Sequence, residues 1–280
     1  MNWIYESDNN FHYGGEKSYL KFQKEHQERK DNYPILKKLN CDHSQIIKDK
    51  GYVIIKNVVS EDLIEILLEE FEESVDDGEV KNNDRFFTTI KDPLLNCPSI
   101  MDVVKNDNVF DTVSGFFGCT PSIGTLNFRR SYVNKEDPVS TQLFHCDQNS
   151  VSFLKCFLYL NDVHDKLDGP LTIIPDSLEK KPTNWSSKYR WSEDEMLSLY
   201  GKDCMTYLTA SAGDIIITRA TTAYHRGTPP INKNRTMLTV NFTIHPEDYK
   251  PIEFKISDEE NNNLEKHHLG LTDFLLKVKI

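Results

Sequence analysis

Several features that would assign a chain to a class at once are missing from this sequence. Its 280 residues contain no apolar run near the ~20 residues needed to span a bilayer, so we expect no membrane partner. Residues 1–15 lack the basic and apolar regions of a secretory signal, which leads us to expect a cytoplasmic protein. The six cysteines show neither a CxxC pair nor framework spacing, which predicts reduced thiols rather than disulfides or a zinc knot.

Positive charge and the motifs of several enzyme classes are also missing. The formal net charge of −11 repels a polyanion at long range, so we expect no nucleic-acid partner. Neither a GxSxG nor a Walker sequence occurs, and no Ser-His-Asp or Cys-His arrangement stands out. The whole chain is 38% hydrophobic and 28% charged, a composition typical of an ordinary globular protein with a sizeable core.

The chain is long enough for one large domain, and no linker or internal repeat divides it. We therefore predict a single domain, 1–280, with an N-terminal arm over 1–50, a strand and helices over 51–120, a β-rich core over 121–245 and a helical tail over 246–280. The arm has one predicted helix, around 16–30. The tail has Leu271, Phe274, Leu275 and Val278 at helical spacing, which predicts a closing helix.

The second part contains clear signals for the ends of helices. Residues 51–59 form a strand-like apolar run, and Ser60 follows as the N-cap of a helix predicted over 60–75. Two shorter helices are predicted within 99–118. The second ends before Gly118, because glycine readily adopts the left-handed conformation that terminates helices.

From about residue 121 the pattern changes to short β-type runs separated by Gly, Pro, Asn and Asp. The runs cover 122–133, 142–148, 151–162, 170–175, 204–210, 213–220 and 235–245. Runs of this kind without long helices between them predict a mainly β protein with flanking helices, built on a double-stranded β-helix of the jelly-roll or cupin type. One polar and aromatic insertion, 178–203, is either a lid or specificity loop or a solvated excursion.

Candidate metal ligands first occur in TQLFHCDQNS, residues 141–150, where His145 and Asp147 lie two places apart. Residues two apart in a strand project from the same face, so this imidazole and carboxylate would lie side by side while Cys146 points away. Such a pair can bind a metal, but the spacing also recurs by chance in many proteins. The pair alone leaves open both a metal site and a polar interruption of a strand.

A further histidine, His225, follows the predicted strand 213–220 and lies eighty residues after His145. With Asp147, the two histidines would place two imidazoles and one carboxylate on neighbouring strands. This is the facial triad that holds iron(II) on one side and leaves the opposite positions open. A 2-oxo acid and dioxygen can occupy open positions, whereas a closed four-ligand zinc site would exclude them.

Arg235 begins the last predicted strand, ten residues after His225. A 2-oxoglutarate that chelates a metal through its 2-oxo and C1 carboxylate groups extends its C5 carboxylate away from the metal, and a planar guanidinium suits that carboxylate. Alternation predicts one strand face that lines a wet pocket and one that packs against the core. The two sets are Arg235, Met237, Thr239, Asn241 and Thr243 against Thr236, Leu238, Val240, Phe242 and Ile244.

A series of motifs in this order resembles the phytanoyl-CoA dioxygenase-like branch of the iron(II)/2-oxoglutarate-dependent oxygenases, over roughly residues 45–245. The motifs are GYVIIKNVVSEDLIEILLEEF, NDNVFDTVSGFFG, HCDQ, LYLNDVHDKLDGPLTIIPDS and GDIIITRATTAYHRGTPPINKNR. Two departures from the family pattern occur at turns. Asp168-Gly169 stands where the family has Asn-Gly, and Asp176-Ser177-Leu178 stands where it has Gly-Ser-His.

The resemblance implies roles for individual residues. It implies His145, Asp147 and His225 as iron ligands, with iron(II), 2-oxoglutarate and dioxygen as cofactors. It implies Arg235 as the group that binds the C5 carboxylate, and Thr228 as an assisting hydroxyl donor, although the family usually has a serine nearer to the distal histidine. Such enzymes often place a second cosubstrate contact on the strand before the first ligand, where the candidates on one face are Asn127, Arg129 and Ser131.

The activity implied by the resemblance is hydroxylation of an unactivated C–H bond of a small molecule, with succinate and carbon dioxide as coproducts. Relatives that halogenate have a small residue at the position of Asp147, so the retained aspartate favours hydroxylation.

The sequence does not decide the substrate, which could be an acyl-CoA, an amino acid, an osmolyte or another metabolite. The acidic balance disfavours CoA phosphates, but four cations of the insertion keep them open: Lys180, Lys181, Lys188 and Arg190. The sequence indicates no oligomeric state.

Other interpretations use the same barrel. One is a cupin-like protein that binds a metal without oxygenase turnover, but such a module has no need of Arg235 ten residues after its distal ligand. Another is a protein hydroxylase or nucleic-acid demethylase. The acidic balance disfavours nucleic acid, and NDNVFDTVSGFFG favours the small-molecule branch. A structural β-domain with incidental histidines is the remaining alternative.

Overall fold

The computed structural model describes residues 4–7, 10–13, 15–35, 39, 42–148, 151–185, 188–245 and 251–279. Cys41, positions 186–187 of the insertion and the start of the predicted tail, 246–250, lie outside the described residues. Among the described helices, none is long and apolar enough to cross a membrane. The described cysteines are all buried and free: Cys97, Cys119, Cys146, Cys156 and Cys204.

The described chain is built mainly from short strands. They are β1 (Ile4–Ser7), β2 (Asn10–Tyr13), β3 (Tyr52–Ile55), β4 (Val80–Asn83), β5 (Phe87–Ile90), β6 (Ser122–Ser131), β7 (Phe153–Tyr159), β8 (Leu171–Ile174), β9 (Thr206–Leu208), β10 (Ile215–Thr218), β11 (Tyr224–Gly227), β12 (Arg235–Thr243), β13 (Ile252–Ile256) and β14 (Leu275–Lys279). The α-helices are α1 (Gly15–Asn32), α2 (Asp42–Lys50), α3 (Glu61–Asp76), α4 (Pro93–Asn96), α5 (Ile100–Lys105), α6 (Asp107–Phe117), α7 (Glu193–Tyr200) and α8 (Asp258–His267).

Two antiparallel sheets form the centre of the molecule. The major sheet has seven strands in the order β3-β10-β7-β12-β6-β5-β4, and the minor sheet has three in the order β11-β8-β9. The sheets face each other, because one buried cluster joins Phe157 and Ile216 of the major sheet to Leu171, Ile173 and Leu208 of the minor sheet. This arrangement agrees with the predicted mainly β architecture with flanking helices.

Helices cover the other face of the major sheet. Leu238, Val240 and Phe242 of β12 belong to a buried core that also contains Leu67 and Phe71 of α3. Removing this apolar surface from water is the main stabilising term, at roughly 25 cal/mol per Å². Alternation along β12 therefore produces the apolar core face that the sequence predicts.

The predicted helix ends are confirmed. Ser60 precedes α3, and its side chain accepts a hydrogen bond from the Leu63 N–H at 3.3 Å. Gly118 follows α6 with a φ of 71°, the left-handed conformation expected there. The arm contains α1 over the predicted range. Sequence reasoning missed α2 and the hairpin of β4 and β5, which are short and polar.

The tail differs from its prediction. The predicted closing helix over 271–278 is wrong, because β14 lies there and pairs in parallel with β13. The helix of this region, α8, lies earlier, where Ser257 and Glu260 form a capping box. Gly270, with a φ of 90°, separates α8 from the strand. Pairing with β13 thus overrides the helix-like spacing of the apolar residues.

Candidate metal centre

Backbone pairing brings the two histidines together. His145 and His225 form a single antiparallel bridge in which each backbone N–H donates to the other's carbonyl, at 3.0 and 2.9 Å. The continuous strand predicted over 142–148 is therefore wrong: a short 3-10 turn, Ser140–Gln142, is followed only by isolated bridges. His225 lies in β11, a strand that sequence reasoning missed. Paired residues project to the same side, and the two ring centroids are 4.5 Å apart.

Asp147 completes the group of ligands. Its backbone N–H donates to the carbonyl of Ala220 at 2.9 Å. Its Oδ1 lies 3.4 Å from Nε2 of His145, and its Oδ2 lies 3.4 Å from Nε2 of His225. The ligand atoms of these three buried residues all lie within 4.8 Å of one another. Two imidazoles and one carboxylate thus converge on one point.

The protonation of both rings suits metal binding. Nδ1 of His145 lies 2.8 Å from the carbonyl of Leu143, and Nδ1 of His225 lies 3.1 Å from the carbonyl of Ala223. A carbonyl only accepts, so each Nδ1 carries the hydrogen and each Nε2 presents its lone pair to the centre. Burial, followed by the neighbouring His225, lowers the pKa of His145 to about 4, which keeps that ring neutral near pH 7. The residues therefore fit a divalent transition metal.

Lys155 is a member of the site that sequence reasoning missed. It lies on β7, and its Nζ donates to Oδ2 of Asp147 at 2.7 Å. Burial by itself would raise the pKa of Asp147, but the Lys155 ammonium and the two imidazoles hold that pKa well below its ordinary value. The available signal was a single lysine in the otherwise apolar run FLKCFLY.

A cavity between the two sheets opens at the metal centre. It is lined by side chains from both sheets and from the segment that carries His145: Phe87, Asn127, Arg129, Ser131, Thr141, Gln142, His145, Lys155, Phe157, Leu171, His225, Gly227, Arg235, Met237 and Thr239. Arg235, Met237 and Thr239 line it from β12, which confirms the predicted cavity face for these three residues, whereas Asn241 and Thr243 are not among the lining residues. The two histidine ligands and the arginine therefore share one cavity.

Arg235 reaches this cavity as a buried cation with weak partners. It is 4% exposed. Its Nη2 donates to the Ser131 hydroxyl at 3.3 Å and its Nη1 to the carbonyl of Thr228 at 3.5 Å, while Nε has no hydrogen-bond partner among the described residues. Burial lowers the pKa of Arg235, although a guanidinium stays protonated. Such long, neutral contacts leave the guanidinium able to take a carboxylate.

The three candidates on β6 lie where alternation places them. Asn127, Arg129 and Ser131 all line the cavity. Arg129 donates from Nε to the Thr89 hydroxyl at 3.1 Å, and its guanidinium lies 4.6 Å from the centre of the Phe87 ring. Ser131 is occupied in holding Arg235. Asn127 and Arg129 therefore remain the candidates for direct contact with a ligand.

Thr228 is placed differently from its implied role. It lies three residues after His225, just past the end of β11. Its hydroxyl forms a hydrogen bond with the Thr172 hydroxyl at 2.7 Å, and Thr228 is not among the described residues that line the cavity. Only its carbonyl takes part in the site, by accepting from Arg235.

The two departures from the family pattern lie at turns that support the site. Asp168 accepts a hydrogen bond from Nδ2 of Asn232 at 3.1 Å and so fixes the loop before β12. Gly169 has a φ of 81°, and a Cβ there would lie 2.9 Å from backbone atoms of the same loop, so glycine is required. The hydroxyl of Ser177 accepts from the Tyr224 N–H at 2.8 Å and positions the start of β11.

The insertion 178–203 packs on the body of the molecule and also borders the metal centre. Trp191 is buried and exchanges backbone hydrogen bonds with Phe144, the residue before the first ligand. Tyr189 stays exposed, and its ring centroid lies 6.2 Å from that of His145. The insertion is therefore not a solvated excursion, and its tip lies beside the metal ligands.

Comparisons of the sequence with known proteins gave no match, since no protein-family model matches it and no curated protein does. Solved structures do match. The epimerase SnoN, in complex with Fe3+, alpha ketoglutarate and nogalamycin RO, is 16% identical, with a TM-score of 0.57 over 72% of this chain and 82% of its own. HygX from Streptomyces hygroscopicus, with nickel, 2-oxoglutarate and hygromycin B bound, is 12% identical, with a TM-score of 0.51 over 78% and 91% of the two chains.

EctD from S. alaskensis, with 2-oxoglutarate and 5-hydroxyectoine, is also similar, at 12% identity and a TM-score of 0.54 over 71% of this chain and 74% of its own. Identities this low show the fold alone. The assignment to the phytanoyl-CoA dioxygenase-like branch has no counterpart in these likenesses and stays a prediction. The likenesses confirm the predicted double-stranded β-helix, a fold that this chain shares with non-haem iron enzymes that use 2-oxoglutarate.

Proposed function

We propose that this protein is an iron(II)/2-oxoglutarate-dependent dioxygenase of the phytanoyl-CoA dioxygenase-like branch, which hydroxylates an unactivated C–H bond of a small molecule and releases succinate and carbon dioxide. The observation that carries the proposal is that His145, His225 and the buried guanidinium of Arg235 line one cavity, while the carboxylate of Asp147 converges with the two imidazoles. A metal site without turnover needs the first three groups but not the fourth.

The ligand set holds the metal on one side only. His145, Asp147 and His225 bind iron(II) in this proposal, and the positions toward the cavity take 2-oxoglutarate and dioxygen. Bound there, the iron and its cosubstrate supply the oxidising chemistry, while the protein supplies geometry. The backbone carbonyls of Leu143 and Ala223 keep both rings in the tautomer that coordinates, because each accepts an Nδ1–H.

Arg235 binds the C5 carboxylate of 2-oxoglutarate in this proposal. The Ser131 hydroxyl and the Thr228 carbonyl orient its guanidinium, so the contribution of Thr228 comes from its backbone rather than its hydroxyl. Asn127 and Arg129, on the neighbouring strand β6, supply the second contact with the cosubstrate. Apolar neighbours keep water from the chelate and strengthen these charged contacts; they are Phe157, Leu171 and Met237.

Hydroxylation is the outcome that the ligand set favours. Asp147 is present, whereas relatives that halogenate have a small residue there. The similar structures include an epimerase and a carbocyclase, so the fold by itself does not fix the outcome. A cytoplasmic location and a small-molecule substrate belong to the same proposal. The buried free thiols support the location, because thiols persist in reducing compartments.

Anaerobic titration tests the proposal. Adding iron(II) and 2-oxoglutarate to the protein is expected to produce the weak visible absorption band of the chelate. Admitting oxygen with candidate metabolites is then expected to release succinate, with faster release when the true substrate is present. The absence of the band in the wild-type protein would rule out this function.

A further inference from the structure

The charges that line the cavity do not balance. Among its described lining residues are three cations, Arg129, Lys155 and Arg235, and the carboxylate at its edge is Asp147. A divalent metal and the 2-oxoglutarate dianion would cancel each other, so three cations against one carboxylate leave two positive charges without a counter-charge. Asp84 is the acid that attracts Arg129 from outside, but its Oδ1 accepts from two backbone N–H groups of its own loop.

Burial makes this imbalance costly. Arg235 is 4% exposed, and a buried charge without a counter-charge lowers the stability of a protein. The excess is also opposite in sign to the whole chain, whose net charge is −11. A cleft of one sign with low-dielectric walls attracts the opposite charge strongly. The cavity is therefore suited to receive an anion beyond the cosubstrate.

A fourth cation approaches the metal centre from the insertion. Arg190 lies over the ring of Tyr189, with 4.1 Å from its Cζ to the ring centroid, and that ring borders His145. Nη1 of Arg190 is buried and has no hydrogen-bond partner among the described residues. Arg190 thus approaches His145 by way of Tyr189, while Lys155 contacts Asp147 from β7.

We propose that the substrate is a small organic anion, whose carboxylate or phosphate is bound beside the metal by Arg190 of the insertion together with Lys155 of β7. This inference rests on the proposed function, because it assigns the space left next to the metal and 2-oxoglutarate. A planar guanidinium and an ammonium bind such oxyanions through charge-assisted hydrogen bonds. A neutral substrate would leave Arg190 without a counter-charge, whereas Lys155 already pairs with Asp147, and a cationic substrate would be repelled.

The other lysines of the insertion argue against the large polyphosphate of CoA. Lys181 is directed inward, where it donates to the carbonyl of Thr222. Lys188 is paired with Glu195. Of the four cations that kept CoA open, only Lys180 is exposed, and Arg190 lies over the Tyr189 ring that borders His145. A small acid with one or two charges matches this distribution better.

Matched ligand pairs test the inference. The protein is loaded with nickel(II) and 2-oxoglutarate, which prevents turnover, and binding is measured by calorimetry for hexanoate against hexanamide and for phenyl phosphate against phenol. The two pairs separate a carboxylate from a phosphate preference. At least one anion is expected to bind about tenfold or more tightly than its neutral partner, as one charge-assisted contact provides.

Variants locate the anion. Arg190→Gln and Lys155→Met are each expected to remove most of the anion preference, whereas Lys180→Gln, which removes the same charge from an exposed position of the insertion, is expected to leave it unchanged. Arg190 is part of a surface insertion, so its variant reports on binding even where Lys155→Met unfolds. Equal affinity for the members of both pairs, or no binding by either anion, would overturn the inference. The iron–2-oxoglutarate band is measured separately, so its presence in that case leaves the proposed function standing.

Discussion

The two faces of β12 differ in how well the rest of the protein satisfies their side chains. On the core face, Leu238 and Phe242 are fully buried against helices and other strands. On the cavity face, Arg235 is almost as buried but has only two long contacts with neutral oxygens. Arg235 and Leu238, three positions apart on the same strand, thus meet opposite conditions.

This difference separates what holds the fold together from what awaits a ligand. The core face gains its free energy within the protein, by excluding apolar surface from water. The cavity face carries charges whose partners the described chain does not supply, and such charges are retained at a cost in stability. Substitutions on the cavity face are therefore expected to weaken ligand binding without unfolding the protein. Substitutions on the core face are expected to lower the free energy of unfolding without changing the affinity for ligands.

The largest effect is expected at the metal ligands that the cavity face points toward. His225→Ala removes one of the imidazoles, and iron(II) affinity is expected to fall by more than the roughly 10–100-fold typical of losing only a partner of a ligand. The chelate band should disappear in anaerobic titration. His267→Ala, at an exposed histidine of α8, is the matched control. An undiminished band in His225→Ala would refute the ligand assignment.

The next effect concerns Arg235 itself. Arg235→Ala is expected to weaken 2-oxoglutarate binding by about 100-fold while sparing iron, because a buried charged contact is worth roughly 2–5 kcal/mol. Calorimetry with metal and 2-oxoglutarate measures both affinities. Arg130→Ala serves as the control, since Arg130 lies on the opposite face of β6 and pairs with Glu72. Equal 2-oxoglutarate affinity in Arg235→Ala and the wild type would exclude this role.

On the core face, Leu238→Ala is expected to lower the free energy of unfolding by about 2–5 kcal/mol through the cavity it creates. Chemical denaturation of the metal-free protein measures the change. The affinities of the surviving folded protein for iron and 2-oxoglutarate should stay near those of the wild type. A selective loss of 2-oxoglutarate binding would show that the two faces are not independent.

The smallest expected effect is a gain in stability rather than a loss. Arg235→Met keeps the length of the side chain and removes a buried charge with weak partners, so the metal-free protein is expected to become more stable by about 1 kcal/mol. Denaturation midpoints of the two proteins without ligand provide the measurement. A clear loss of stability would mean that Arg235 is already well satisfied, and the contrast between the faces would disappear.

Local patterns predicted much of the fold. Ser60 and Gly118 marked helix ends because capping depends on a few neighbouring residues. Alternation placed Arg235 and Leu238 on opposite faces for the same reason. The tail failed, because apolar residues at helical spacing cannot indicate that β13 offers a strand to pair with.

At the site, too, features set by neighbouring residues could be predicted, whereas contacts between distant segments could not. The residue types of His145, Asp147 and His225 and their order indicated the chemistry, although the strand around His145 was predicted wrongly. Lys155 was missed because its role depends on its contact with the carboxylate of Asp147, eight residues earlier. Only the turn of the chain between them brings the two groups within 2.7 Å. Thr228 was assigned from its position after His225, which does not reveal that its hydroxyl bonds to Thr172.

The sequence by itself determined the class of fold, the helix ends, the ligand types and the two faces of β12, because each depends on periodicity or on contacts within a few residues. Only the tertiary structure decided that His145 pairs with His225, that Lys155 contacts Asp147 while Tyr189 borders His145, and that the tail ends in a strand. These features depend on the register between segments far apart in the chain, and packing of the whole molecule sets that register.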